Sequence, residues 1–72
     1  MKRVPVTSST VASVAYDEAT RTLEVEFKKG GVYHYFDVPA ALHAGLVGAT
    51  SVGSYLDANI KKAGFKYKRV SN

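Results

Sequence analysis

Few side chains in this 72-residue sequence could do chemistry. His34 and His43 could act as bases or hold a metal, but they lie nine residues apart on what read as different elements. Neither has a carboxylate or a second histidine at ligand spacing, so no metal set is expected. His34 falls within a strand and reads as packing or pointing to water; His43 neighbours Leu42 on a helix and reads as exposed. The hydroxyls of Thr7, Ser8, Ser9 and Thr10 have no evident base to activate them and read as a polar lead-in to the first strand. Gly30-Gly31 lies between two strands, not between a strand and a helix, and reads as a turn. Ser51-Val52-Gly53-Ser54 could offer free N–H groups to a phosphate at a helix start, but it reads first as capping with a glycine for close packing. The chain is therefore read as a non-enzyme, with no catalytic residues, no cofactor and no metal.

What remains is aromatic and basic. Tyr33 and Tyr35 stand two apart, so on a strand their rings share one face. On an open sheet face they could stack unpaired bases, each stack worth about 1–3 kcal/mol; turned inward they are core. Ten Lys and Arg against six Asp and Glu give a formal charge of +4, which favours approach to polyanions. Lys61, Lys62, Lys66, Lys68 and Arg69 place five of those ten cations in the last 12 residues, alternating with Phe65 and Tyr67. Lys28 and Lys29 lie close to the tyrosines in sequence, while the acidic residues concentrate at Asp17, Glu18, Glu24 and Glu26. The molecule should thus be electrically two-sided. The plainer reading of the same cations is a solvated helix end and an edge strand guarded by lysines.

These groups must be positioned by short elements. Residues 11–16 alternate, with Ala12, Val14 and Tyr16 on one face, and read as a strand; Asp17 opens the turn that follows. Residues 22–27 alternate cleanly, with Leu23, Val25 and Phe27 inward and Glu24 and Glu26 outward. After the Lys28-Lys29-Gly30-Gly31 turn, residues 32–38 form a third strand whose inward face depends on the loop. A two- or four-residue loop sets Phe27 opposite Val32 and turns Val32, His34 and Phe36 to the Leu23 face. A three-residue loop with a bulge sets Phe27 opposite Tyr33 and turns Tyr33 and Tyr35 there instead. Val38-Pro39 ends the strand and leads into a helix carrying Leu42, Leu46 and Ala49, weakened by Gly45 and Gly48. Thr50 or Ser51 caps a second helix with a Val52, Leu56, Ile60 stripe, and Gly64 fits its C′ position. Residues 65–70 could add a fourth strand along the sheet edge. The expectation is an α+β fold: a three- to four-stranded antiparallel β-meander with two short helices packed on one face.

The length allows a single unit over residues 1–72, with its core at about 4–70. Surface scaling leaves about 4,400 Å² exposed, enough for one small core and too little for a deep cleft. With no cysteine, disulfide scaffolds and thiolate sites are excluded. No apolar run approaches a membrane span, and Lys2-Arg3 leads into no signal-peptide core, so a cytoplasmic protein without membrane contact is expected.

Tyr16-Asp17, Leu23, Val25, Phe27, Gly30, Tyr33-His34-Tyr35, Val38-Pro39, Ala49, Ser51, Gly53, Tyr55 and Ile60-Lys61 together resemble the KTSC domain. The resemblance runs over about residues 4–67, with the central Tyr-x-Tyr as its signature. That family is named for a C-terminal extension of some lysyl-tRNA synthetases and also occurs as small stand-alone bacterial and phage-associated proteins. The sequence departs from the family pattern near His43, where the family tends to have an aromatic, near Asp57, where it tends to have an Asn, and in a slightly longer Lys62-Ala63-Gly64 segment. The resemblance implies no catalytic residues, and the synthetase fusion suggests RNA. The expectation is a small, monomeric, non-catalytic binding module. It would bind tRNA or single-stranded RNA through Lys28, Lys29, Lys61, Lys62, Lys66, Tyr67, Lys68 and Arg69, with Tyr33 and Tyr35 as core or as a stacking pair. The alternative is a protein–protein interaction module in which those two tyrosines are structural core.

Overall fold

The structure, a computed structural model, describes residues 3–71; Lys2, part of the segment read for a signal sequence, lies outside them. Five strands form one antiparallel sheet in sequential order: β1 Val4–Pro5, β2 Val11–Asp17, β3 Thr22–Phe27, β4 Val32–Tyr35 and β5 Tyr67–Ser71. The helices α1 (Ala40–Val47) and α2 (Val52–Leu56) lie between β4 and β5 in the chain, and α2 runs on into a π-helical turn over Asp57–Lys61. The fold is thus α+β, as the sequence predicts, with five strands in place of three or four. The additional strand, β1, is only two residues long and pairs Val4 with Val14, too short for any alternation to show.

Register fixes which side chains share a face. Val14, Val25, Tyr33 and Arg69 stand side by side across β2–β5, as do Tyr16, Leu23, Tyr35 and Tyr67. This face carries the core: Val11, Val14, Leu23, Val25 and Tyr35 pack against Leu46 of α1 and against Val52, Leu56 and Ile60. The second-helix stripe is buried as its spacing requires, and Ser51 Oγ accepts from Ser54 N in the expected cap. The opposite face holds Ser13, Glu26 and Val32 in one row and Ala15, Glu24, His34 and Lys68 in the next.

The β3–β4 hairpin settles the orientation of the tyrosines. Phe27 N donates to Gly31 O at 3.1 Å, leaving a three-residue loop of Lys28, Lys29 and Gly30. Gly30 and Gly31 take φ of +105° and +95°, a conformation that only glycine adopts cheaply. Tyr33 and Tyr35 therefore join the Leu23 face, as the three-residue loop predicts, but the β3–β4 pairing carries no bulge, so Val25 rather than Phe27 stands opposite Tyr33.

Three expectations are corrected. A register shift between Val11 and Ser13 breaks the alternation of β2, so Val11 is fully buried on the core side while Ala12 is half-buried. Pairing of β4 stops at Tyr35 rather than running to Val38, because Asp37 turns to φ +58°. Gly64 has the left-handed φ expected of a helix stop, +84°, but the helix is already capped at Lys62. Lys62 N reaches back to Asp57 O at 3.0 Å, the five-residue step of a π-turn, which takes up one more residue than an α-turn.

The glycine in the middle of α1 has a packing reason. A Cβ at Gly45 would stand 2.1 Å from Tyr55 Oη and 2.7 Å from its Cζ, so only glycine lets the Tyr55 ring lie against α1. The total exposed surface is 4468 Å², close to the scaling expectation, and the concavity such a small body leaves is an open groove rather than a cleft.

Candidate functional site

The groove encloses about 1200 Å³ between the end of the sheet, the loop before β2 and the start of α2. Its floor is aromatic, built by Phe27, Tyr33, Tyr35, Phe65 and Tyr67. Its wall is rich in hydroxyls: Thr7 to Thr10 from the loop, and Thr50, Ser51 and Ser54 from the turn into α2. Lys29 and Lys61 are its cations and Asp57 its carboxylate.

The rings form a graded series. Tyr35 is 4% exposed, Tyr33 is half-buried and Tyr67 is 65% exposed. Tyr67 lies 5.8 Å from the Tyr35 ring and 6.1 Å from the Tyr33 ring, tilted against both, so the two inner rings support the displayed one. Phe27 meets Tyr33 edge to face at 5.6 Å. Lys61 Nζ sits 5.0 Å over Phe27, and the Arg69 guanidinium lies 5.9 Å from the Tyr33 ring. Two aromatic faces are thus already taken by the protein's own cations. Burial, and secondarily the neighbouring Tyr33 and Tyr67, pushes the Tyr35 phenol above its ordinary range, so it stays protonated at neutral pH.

Of the residues singled out in sequence, Lys29, Lys61, Tyr33, Tyr35 and Tyr67 come together in the groove. Arg69 shares their sheet face. The other cations do not join them. Lys68 stands beside His34 on the opposite face, because one residue along a strand reverses the side chain. Lys62 is exposed and pairs with Asp57 at 3.6 Å. Lys66 is exposed, and its carbonyl accepts from Phe36 N at 2.9 Å. Lys28 is exposed in the hairpin loop, its N–H bound to Thr10 O at 2.8 Å. Of the five C-terminal cations, Lys61 lines the groove, Lys62 pairs with a groove carboxylate, Arg69 shares the sheet face of the tyrosines, and Lys68 stands on the reverse.

The hydroxyl wall is what sequence reasoning missed. Thr7 to Thr10 and Ser51 to Ser54 read as separate local features more than 40 residues apart. A Cβ on Gly53 would lie 2.8 Å from Thr10 Oγ1, so this glycine lets the two segments touch. Gly53 was a signal of close packing, but nothing in the sequence named what it packs against.

The histidines do not meet. His43 is half-buried rather than exposed: it stacks on Tyr16 at 4.9 Å, and its Nε2 is buried without a hydrogen-bond partner among the described residues. On the other sheet face, His34 Nε2 lies 2.9 Å from Glu24 Oε1, and Arg3 Nε lies 2.7 Å from Glu24 Oε2. The His34 hydrogen bond, helped by Arg3 and opposed by partial burial, holds the Glu24 carboxyl below its ordinary range. Among the described residues, no three or more His, Asp or Glu are grouped to hold a metal ion, and no helix is long and apolar enough to cross a membrane.

A five-stranded meander with two helices on one face, and an aromatic groove at the end of the covered side, defines a small α+β domain. The chain belongs to the KTSC domain family, whose pattern it matches over residues 7–67. It is similar to a crystallised KTSC domain protein from Yersinia pestis, with a TM-score of 0.90, 36% identity and 96% of each chain covered. It is 37% identical to an uncharacterized protein of Stutzerimonas stutzeri, over 97% of this chain and 99% of that one. It is also 40% identical over 63 residues to a lysine–tRNA ligase of Trichormus variabilis, covering 88% of this chain but only 11% of the ligase.

Proposed function

We propose that the protein is a non-catalytic, cytoplasmic RNA-binding module that holds a short single-stranded segment in the groove. The observation that carries this reading is Tyr67, a ring 65% exposed at the edge of an aromatic floor, with Lys61 and Lys29 on the same groove. An unpaired base stacks on Tyr67 while Tyr33 and Tyr35 hold that ring in place, and the lysines take phosphates. At about 1200 Å³ the groove exceeds the roughly 300–1,000 Å³ of small-molecule sites, and its openness suits a polymer. The kinship with lysine–tRNA ligases supports the same reading, since proteins of that name act on tRNA. With Lys68 on the far face, the active basic surface is narrower than the C-terminal cluster: Lys29, Lys61 and Arg69.

The test is binding of labelled tRNA and single-stranded RNA at about 50 and 200 mM salt, where phosphate-driven affinity falls steeply. Tyr67→Ala should weaken binding by about 5- to 160-fold, the worth of one stack, without changing the fold, and Lys61→Ala with Lys29→Ala should flatten the salt slope by about 0.7 per lost contact. Lys68→Ala should leave the slope unchanged. Absence of saturable binding at low salt would sink the reading and leave a protein partner as the alternative.

A further inference from the structure

We infer that the hydroxyl wall of the groove reads ribose, so that the module prefers RNA to DNA of the same sequence through the 2′-hydroxyl; this rests on the RNA-binding reading above. The wall's hydroxyls divide into those occupied by the fold and those left over. Ser8 Oγ accepts from Thr10 N and Val11 N, both at 3.2 Å, and so closes the loop before β2. Ser51 Oγ accepts from Ser54 N at 3.4 Å and donates to Ser54 Oγ at 3.0 Å. That leaves the proton of Ser54 free to donate outward. Thr10 Oγ1 has only a 3.4 Å contact with Ser8, and both Thr10 and Ser54 are exposed.

A hydroxyl both donates and accepts, whereas a lysine only donates. The sugar 2′-OH has the same double character, and it is the group that distinguishes RNA from DNA. A phosphate fits this wall less well, because Asp57 also lines the groove, one helical turn after Ser54. A carboxylate repels phosphate but accepts a hydrogen bond from a sugar hydroxyl. Lys62 Nζ lies 3.6 Å from Asp57 Oδ2, one contact on a carboxylate with several acceptor sites, which leaves it capacity to accept. The division of labour is then legible: phosphates at Lys29 and Lys61, bases on Tyr67, sugar edges along Thr10, Ser54 and Asp57.

The experiment compares one short sequence as oligoribonucleotide, oligodeoxyribonucleotide and 2′-O-methyl oligonucleotide, by fluorescence anisotropy at low salt. The wild-type protein should bind the ribo form about 3- to 10-fold more tightly than the deoxy form, the size expected of one or two net hydrogen bonds. The 2′-O-methyl strand, which keeps an RNA-like shape but loses the donor, should bind about as weakly as DNA. Thr10→Val with Ser54→Ala, at exposed positions where an unchanged melting temperature reports an intact fold, should lower the ribo-to-deoxy ratio toward one. Equal binding of ribo and deoxy strands by the wild type overturns ribose readout while leaving a single-strand-binding module in place. A 2′-O-methyl strand that binds as well as RNA, or a ratio unmoved by the double variant, likewise overturns it. If no strand binds, the RNA-binding reading itself fails, and this inference with it.

Discussion

Tyr35 and Tyr67 are direct neighbours across β4 and β5, yet one is 4% exposed and the other 65%. On the reverse of the sheet, Glu24 and His34 are neighbours across β3 and β4 joined by a hydrogen bond, with Arg3 on the other oxygen of Glu24. The covered face is held by apolar contact with the helices and ends in a ring that the helices do not reach. The reverse face carries the Glu24–His34 and Arg3–Glu24 pairs beside the buried Ser13, Ala15 and Val32. The difference arises because two short helices cover the middle of a five-stranded sheet but not its last strand, which leaves the aromatic row running out into solvent at β5. The aromatic groove thus forms where the core stops.

Substitutions can break this comparison, the strongest first. Tyr35→Ala removes a buried ring from the covered face and should cost about 3–5 kcal/mol, read as a fall in Tm of about 15 °C or more. A loss below about 1 kcal/mol in denaturant unfolding would show that Tyr35 is not core. Gly45→Ala should destabilise by about 1–3 kcal/mol through collision with Tyr55, although helix propensity alone favours alanine by about 1 kcal/mol. Combining it with Tyr55→Ala should remove most of that penalty relative to the Tyr55→Ala single variant, and strict additivity would refute the contact.

The reverse face responds to pH instead. Because the folded-state pKa of Glu24 is depressed, its contribution is complete above the ordinary value of 4.5 and is lost as pH falls through the lower folded value. Glu24→Gln should therefore flatten the acid limb of the stability curve by no more than about 1 kcal/mol, the scale of a partly exposed ion pair. An unchanged limb would mean that His34 and Arg3 do not hold the carboxylate in solution. The smallest effect on stability is expected for Tyr67→Ala, within about 0.5 kcal/mol as for an exposed site. A Tm drop like that of Tyr35→Ala would make Tyr67 part of the core and remove the displayed ring on which the proposed RNA binding depends.

Much of this was written locally. Alternation in residues 22–27, the i, i+4, i+8 stripe of Val52, Leu56 and Ile60, and the Ser51 cap each depend on neighbours within a few residues, so the sequence determined them alone. Asp17 likewise opens its turn by accepting from Ala19 N at 3.0 Å. The face of Tyr33 and Tyr35 was narrowed to two alternatives, and the loop length that selects one of them was decided by the hairpin bond between Phe27 and Gly31. Tertiary structure alone placed Lys68 away from Lys61, stacked His43 on Tyr16, and set Thr10 against Gly53. A cluster of like charges in sequence says nothing about side-chain direction on a strand, since each residue reverses it. A wall made by segments some 40 residues apart leaves no periodicity in either one, so only the closing of the helices over the sheet brings it into being.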